Sequence, residues 1–384
     1  MQKPIVLHIL SCDLWAGAES QVLAQVCSLK ESEFEPAVLV FNEAQALSRF
    51  RCFGISVEIA KESDGIISLV NNCLRIAARL NPSIVVAHGY KESLVGLFIR
   101  WYLGAKLITW HHGAPENHRG WHKVKRKVTH SLHSCIARFF AARVVTVSAS
   151  LARELGFGQW AKLRVIWNTL PLEIPTEPAE CQQDSAGDPS LCRDRLSLIW
   201  VGRLVSVKRL DVALGALAAL APQKRPQLLV AGSGPEELHL KNLSQQLGLQ
   251  PHVKFLGFVT AVRSLIADSD ALLITSDREG LPTVVIEAMV QSKPIISTEL
   301  AGVREVIDHF PDYPIKFAPL GDVSAIAQAM EEVIDETKPS SSISQETAKM
   351  IGYGFSMERL LKDQVALYSS LSVGSIPLKS KGGS

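Results

Sequence analysis

The chain has 384 residues, 47% of them hydrophobic and 20% charged, with a formal net charge of +2. That length exceeds one ordinary core and sets an expectation of two domains, while the composition excludes a wholly disordered chain and the balanced charge excludes a global pull towards nucleic acid. The seven cysteines show neither CxxC pairs nor metal-ligand spacing, so they read as reduced, mostly structural thiols of a cytosolic protein.

The chain begins with "MQKPIVLHILSCDLW", whose apolar run soon meets Asp13 and reads as a buried strand rather than a secretory signal, with His8 packed in the core. No run of roughly 18 apolar residues occurs, so any membrane contact is expected to be peripheral. "DLWAGAES" follows, with Gly17 ahead of a helix, where bare backbone could approach a phosphate. "AVLVF", "ISVEIA", "SIVVAHG", "KLITWHH", "RVVTVS" and "LRVIWN" then alternate with helical stretches such as 64–80, the pattern of a parallel sheet covered by helices. His88, His111 and His112 close two of these strands at a predicted cleft edge.

Residues 171–195, rich in Pro, Gly, Ser and acids, break the rhythm and read as a linker. The alternation restarts with "LSLIWVGRL", "QLLVAGSG", "VKFLGFV", "ALLITSD", "KPIISTE" and "PIKFAP". The reading is therefore a first domain over 1–170, a second over 196–355, an amphipathic helix over 356–372 and a disordered tail over 373–384. The fold class is α/β, two Rossmann-like doubly wound parallel-sheet domains facing across a cleft. Ligands of such sheets bind outside the carboxyl ends of the strands.

Three loops of the second domain carry chemistry. "WVGRLVSVKRLD" offers Arg203 after a strand and Lys208 at the next helix start, two cations suited to a diphosphate. "SDREGLPTVVIEAM" is a strand-loop-helix turn with Pro282 and Thr283 at the helix start and Gly280 and Leu281 before it, a backbone fit for phosphate. Glu279 precedes that helix and Glu287 lies about 7 Å into it at 1.5 Å per residue, so the two acids suit the hydroxyls of one extended ligand. The plainer reading makes Glu279 a dipole partner and Glu287 a solvated helix residue. Gly232, Ser233 and Gly234 resemble a dinucleotide loop, but Glu237 fills its third glycine position; they are either base and phosphate neighbours or a turn. Phe258 and Val259 end the next strand beside a nucleobase, with uracil and purine both open. The acid pair Asp268 and Asp270 imitates a metal site but falls at a helix end, where capping and solvation suffice, and no metal is implied.

Nearly the whole chain resembles the family 4 glycosyltransferases of the GT-B fold. "WAGAES", "TWHHG", "VVTVSAS", "VIWNTL", "VGRLVSVKR", "VAGSGPEE", "VKFLGFV" and "EGLPTVVIEAM" carry the resemblance. It implies metal-independent, retaining transfer of a hexose from a nucleotide-diphosphate sugar, with no cofactor, to a glycan or lipid-linked glycan acceptor in cell-surface polysaccharide or lipopolysaccharide assembly. The first domain would then bind acceptor, the second would bind the donor, and the last helix would cross back to the first domain. By the same resemblance Glu287 would hold the ribose and Glu279 the donor hexose, Arg203 and Lys208 would grip the diphosphate beside Gly17 and the amides of Gly280 and Leu281, and His111 would sit by the transferred sugar. His88 and His112 would lie on the acceptor side. The family often has Gly-Gly where this chain has Ala16-Gly17. Rival readings are a nucleotide-sugar epimerase of the same fold, a nicotinamide oxidoreductase and a non-catalytic nucleotide-sugar binder.

Charge is uneven over 91–143, where ten Lys or Arg face only Glu92 and Glu116. Within it, 119–143 mixes basic residues with Trp121, Leu132, Ile136, Phe139 and Phe140, which suits either an anionic membrane surface on the cytoplasmic side or a helix with one solvated basic face.

Overall fold

The computed structural model describes residues 3–12, 15–42, 46–113, 129, 131–173, 196–336 and 343–372. Most of the 171–195 linker, the 373–384 tail and residues 119–128 and 130 of the basic segment lie outside the described residues.

Seven strands form the first sheet: β1 (Ile5–Leu10), β2 (Glu35–Val40), β3 (Val57–Ile59), β4 (Ile84–Ala87), β5 (Lys106–His111), β6 (Arg143–Thr146) and β7 (Leu163–Val165), all parallel in the order β3-β2-β1-β4-β5-β6-β7. Six more form the second: β8 (Ser197–Val201), β9 (Gln227–Ala231), β10 (Val253–Gly257), β11 (Ala271–Ile274), β12 (Ile295–Thr298) and β13 (Ile315–Ala318), parallel in the order β10-β9-β8-β11-β12-β13. Helices cover both faces, so central strands such as "IVVA" and "ALLI" are buried along their whole length and carry no polar alternation.

Each sheet reverses its winding direction once, between β1 and β4 in the first lobe and between β8 and β11 in the second. At such a switch the two connections leave to opposite faces and open a crevice at the carboxyl edge. The loops after β1, β4, β8 and β11 are thereby selected by topology alone as the place for a ligand.

The two lobes share an apolar interface. Val147, Leu151 and Phe157 of the first pack in one cluster with Leu281, Val285, Val303 and Ile307 of the second. The final helix, Met357–Ser372, lies on the first lobe. Its Leu360, Leu367, Tyr368 and Leu371, spaced along one helical face, are buried with Val6, Ala24, Leu29 and Phe34. Tyr368 meets Phe34 edge-to-face at 5.6 Å, and Ser28 Oγ donates to Gln364 Oε1 at 2.7 Å.

Candidate active site in the interlobe cleft

The second lobe supplies two loops that are fastened to each other. After β8 the chain passes Gly202 and the exposed Arg203 and makes one 3-10 turn over Ser206–Lys208. Arg209 takes the left-handed region (φ 50°) to turn into the helix Leu210–Ala219, and its guanidinium bonds Asp211 and Asp277, each at 3.1 Å. After β11, Thr275 Oγ1 accepts from Trp200 Nε1 at 3.1 Å and donates to the Lys208 carbonyl at 3.0 Å, while Asp277 N–H donates to the Val207 carbonyl at 2.9 Å. These bonds bring Lys208 and Glu279 into an ion pair, and Ser276 Oγ donates to the same carboxylate at 2.8 Å. Lys208 sits on the turn before the helix rather than within it, a position from which its ammonium reaches both loops.

The helix Thr283–Val290 begins with Pro282 at its N-cap. Glu287, on its fifth residue, is 8% exposed, and this burial pushes its carboxyl up to about 7, with Arg263 partly offsetting the rise. A solvated helix position is thereby excluded. Gly280 lies tight against the first lobe: a Cβ there would collide with the His112 carbonyl. Ser148 Oγ donates to the Gly280 carbonyl at 3.3 Å and Asn168 Nδ2 to that of Leu281 at 2.8 Å, so the first lobe holds the loop. Gly17 faces the same helix start; a Cβ on it would sit 3.6 Å from the Thr283 side chain.

On the first lobe His111 is buried and stacks on His133 at 4.7 Å between centroids, with Phe157 edge-on at 5.0 Å. Three adjacent strands place His8, His88 and His112 in a row: His8 Nδ1 lies 3.0 Å from His88 Nε2, and His88 Nδ1 lies 3.0 Å from His112 Nε2. Burial pulls His8 down to about 3 and His112 to about 4, and burial with its two neighbours takes His88 well below the usual range, so the row is neutral at physiological pH. His8 is core, as its position in β1 predicts, but it is also a link in this row. Glu92, read only as a stray acid in a basic segment, is buried against Ser11, and burial raises its carboxyl pKa.

The "VAGSG" loop has a structural reason independent of any ligand. A Cβ at Gly232 (φ 146°) would overlap the Gly202 carbonyl, and one at Gly234 would strike the Leu204 backbone. The two loops also bond through Leu204 N–H to the Ser233 carbonyl at 2.9 Å. Phe258 stands exposed after β10 with Val259 half-buried beside it. Asp270 accepts from Ser197 N–H at 2.7 Å and its hydroxyl at 3.0 Å, tying down the start of β8. Sequence reasoning missed Glu305, whose carboxylate accepts from Ala149 and Ser150 N–H at 2.8 Å each and from Trp167 Nε1 at 3.4 Å across the lobe boundary.

Two Rossmann-like lobes facing across a cleft, with both switch points opening into it, define the GT-B class. The chain matches the family model "Glycosyltransferase Family 4" over residues 15–173 and "Glycosyl transferases group 1" over 190–350. It belongs to the family 4 glycosyltransferases. It is 26% identical over 171 residues to N-acetyl-alpha-D-glucosaminyl L-malate synthase of Bacillus anthracis, covering 44% of each chain. It is 30% identical over 143 residues to the lipopolysaccharide core biosynthesis glycosyltransferase LpsD of Rhizobium meliloti, covering 37% of this chain and 40% of that one. Each match thus spans less than half of the relative's own length. Among solved structures, Anabaena Alr3699/HepE in complex with UDP and glucose superimposes with a TM-score of 0.79 at 20% identity, over 96% of this chain and 100% of that one.

Proposed function

We propose that this chain transfers a hexose from a nucleotide-diphosphate sugar to a glycan or lipid-linked glycan, with retention of anomeric configuration and without a metal or other cofactor, in the assembly of a cell-surface polysaccharide or lipopolysaccharide. The observation that carries the reading is the pairing of Lys208 with Glu279 at the β8/β11 switch point, one helical segment from the buried Glu287. A cation and two carboxylates gathered there match a ligand that alternates hydroxyls and phosphates. The family relationship supports the reaction class, and the lipopolysaccharide relative supports the setting.

The donor diphosphate takes Lys208 from Glu279, and the hexose hydroxyls take the freed carboxylate. Arg203 approaches the same phosphates from its exposed loop. As the anomeric bond breaks, charge grows on the departing phosphate oxygen, and cations already in place stabilise it without reorganising. Glu287 holds the ribose hydroxyls, and His111 lies by the hexose on the first lobe. His88 and His112 face the acceptor side. Closure of the lobes about their shared apolar interface would exclude water, which limits hydrolysis. The protein works at the cytoplasmic side of a membrane, touching anionic lipid through its basic, aromatic surface.

A panel of nucleotide sugars, assayed for nucleotide release with and without glycan acceptors, tests the reading. Acceptor-dependent release supports transfer; acceptor-independent conversion of the sugar marks an epimerase, and binding without turnover marks a sensor. Lys208→Ala should lower kcat about 10²–10³-fold with the fold intact. Equal turnover in wild type and variant contradicts the role given to Lys208.

A further inference from the structure

At the base end of the cleft, Phe258, read above beside a nucleobase, meets two residues that the donor reading leaves unused. Trp15, in the loop after β1, packs edge-on to Phe50 at 6.2 Å and against the apolar cluster of Leu10, Val22 and Leu47, so its ring is fixed. The guanidinium of Arg49, on the short helix Ala46–Cys52, lies 4.5 Å from the Trp15 ring centroid. The same guanidinium lies 5.9 Å from the ring of Phe258, which belongs to the other lobe. Arg49 thus stands between one aromatic ring of each lobe, and among the described residues no carboxylate pairs with it. A guanidinium has five N–H donors in a plane and no acceptor, and a ring face engages its charge without using those donors.

Position says which part of a ligand arrives there. Lys208 and Glu279 sit at the β8/β11 switch point. Glu287 lies deeper along the helix Thr283–Val290, where it feels the charge of Arg263. Arg263 is five residues beyond Phe258, which closes β10, the outermost strand on that side of the sheet. With the roles proposed above, these groups suit the order diphosphate, ribose, base of a single nucleotide. Phe258 keeps 51% exposure, so its ring has a free surface on which a base can stack.

We propose that Trp15, Arg49 and Phe258 form a cross-cleft clasp for the nucleobase of the donor, an inference that rests on the donor reading above. The base stacks on Phe258, and Arg49, propped on Trp15, donates to carbonyl oxygens on the base edge. The clasp favours bases that carry such carbonyls, uracil and guanine, over adenine, which has none. Because Trp15 and Arg49 belong to the first lobe and Phe258 to the second, an occupied base site also draws the lobes together.

Calorimetric titration with UDP, GDP, ADP and base-free inorganic pyrophosphate tests this in wild type, Arg49→Ala, Arg49→Lys and Trp15→Phe. Wild type should bind UDP or GDP more tightly than ADP. Arg49→Ala should weaken the preferred nucleotide about tenfold, in the range of a lost stacking or cation–π partner, with pyrophosphate unchanged. Arg49→Lys should recover part of the loss, and Trp15→Phe should keep most of the wild-type affinity, outcomes that a folding defect would not give. The clasp is overturned if Arg49→Ala binds UDP and GDP like wild type, if it loses nucleotide and pyrophosphate alike, or if wild type prefers ADP. A wild type that binds no nucleotide at all overturns the donor reading itself, whereas a normal titration indifferent to Arg49 overturns only the clasp.

Discussion

Glu287 is held where a carboxylate is costly. Its folded pKa, about 7, stands above the ordinary 4.5, so the folded state keeps a proton that the unfolded state has lost. The contribution is fully present below pH 4.5 and is lost as pH rises through 7, a fall of about 3 kcal/mol at about 1.4 per unit. His8, His88 and His112 act with the opposite sign: the unfolded chain protonates them below 6.5 while the folded row resists, so stability falls as pH drops below 6.5. Three histidines outweigh the two raised carboxyls, Glu287 and Glu92, in that window, and thermal melts should peak at pH 6–7. Glu287→Gln should shrink the alkaline limb, melting above wild type at pH 8 while binding nucleotide less tightly. A variant that melts no higher at pH 8 refutes the burial cost. On the role proposed above, binding strength and stability pull apart at this residue, because the ionised form that would accept ribose hydroxyls is the form that burial disfavours.

The strand elements were legible because parallel strands covered on both faces become unbroken apolar runs, and every such run read in the sequence is a strand here. Where the reading ran past the strand, function explains the excess: "ALLITSD" leaves the sheet at Ile274 because Thr275 and Asp277 turn to bond the Lys208 loop. The Lys208 and Glu279 loops were likewise visible, since each follows an apolar strand at the carboxyl edge of the sheet, and the structure pairs the two residues. The histidine row was not, because it needs the strand order β1-β4-β5, which no local pattern states. Glu305 was invisible for the same reason; its partners stand some 155 residues away. From the helix Ala301–Ile307 its carboxylate takes the leading N–H groups of the helix Ala149–Glu154, which have no partner within that helix. Glu305→Ala should therefore cost roughly 1–3 kcal/mol in chemical unfolding and enlarge the radius of gyration in solution scattering. An unchanged radius with the stability loss would make Glu305 a local cap and not a latch between lobes.

At the scale of the whole molecule, an aromatic surface joins a basic one on the first lobe. Trp101, Tyr102 and Phe139 are exposed; Trp101 meets Phe140 at 5.7 Å, and the Arg138 guanidinium lies 5.9 Å from the Phe139 ring. Arg100 and Arg138 press their charge on Lys162, whose pKa burial and these two neighbours lower. Among the described residues no helix is long and apolar enough to cross a membrane. Vesicles containing phosphatidylglycerol should retain the protein at low salt and release it at high salt, and replacing Trp101 and Phe139 together by Ser should abolish retention. Binding equal to neutral vesicles would leave this face a solvated one. The closing helix has a different consequence. Gln364 and Tyr368 complete the packing around Ser28 and Phe34, yet they follow the whole second lobe in the chain. The first lobe therefore cannot finish its interior until the second lobe has been made, and a truncation that removes 357–372 damages the half of the protein made earlier.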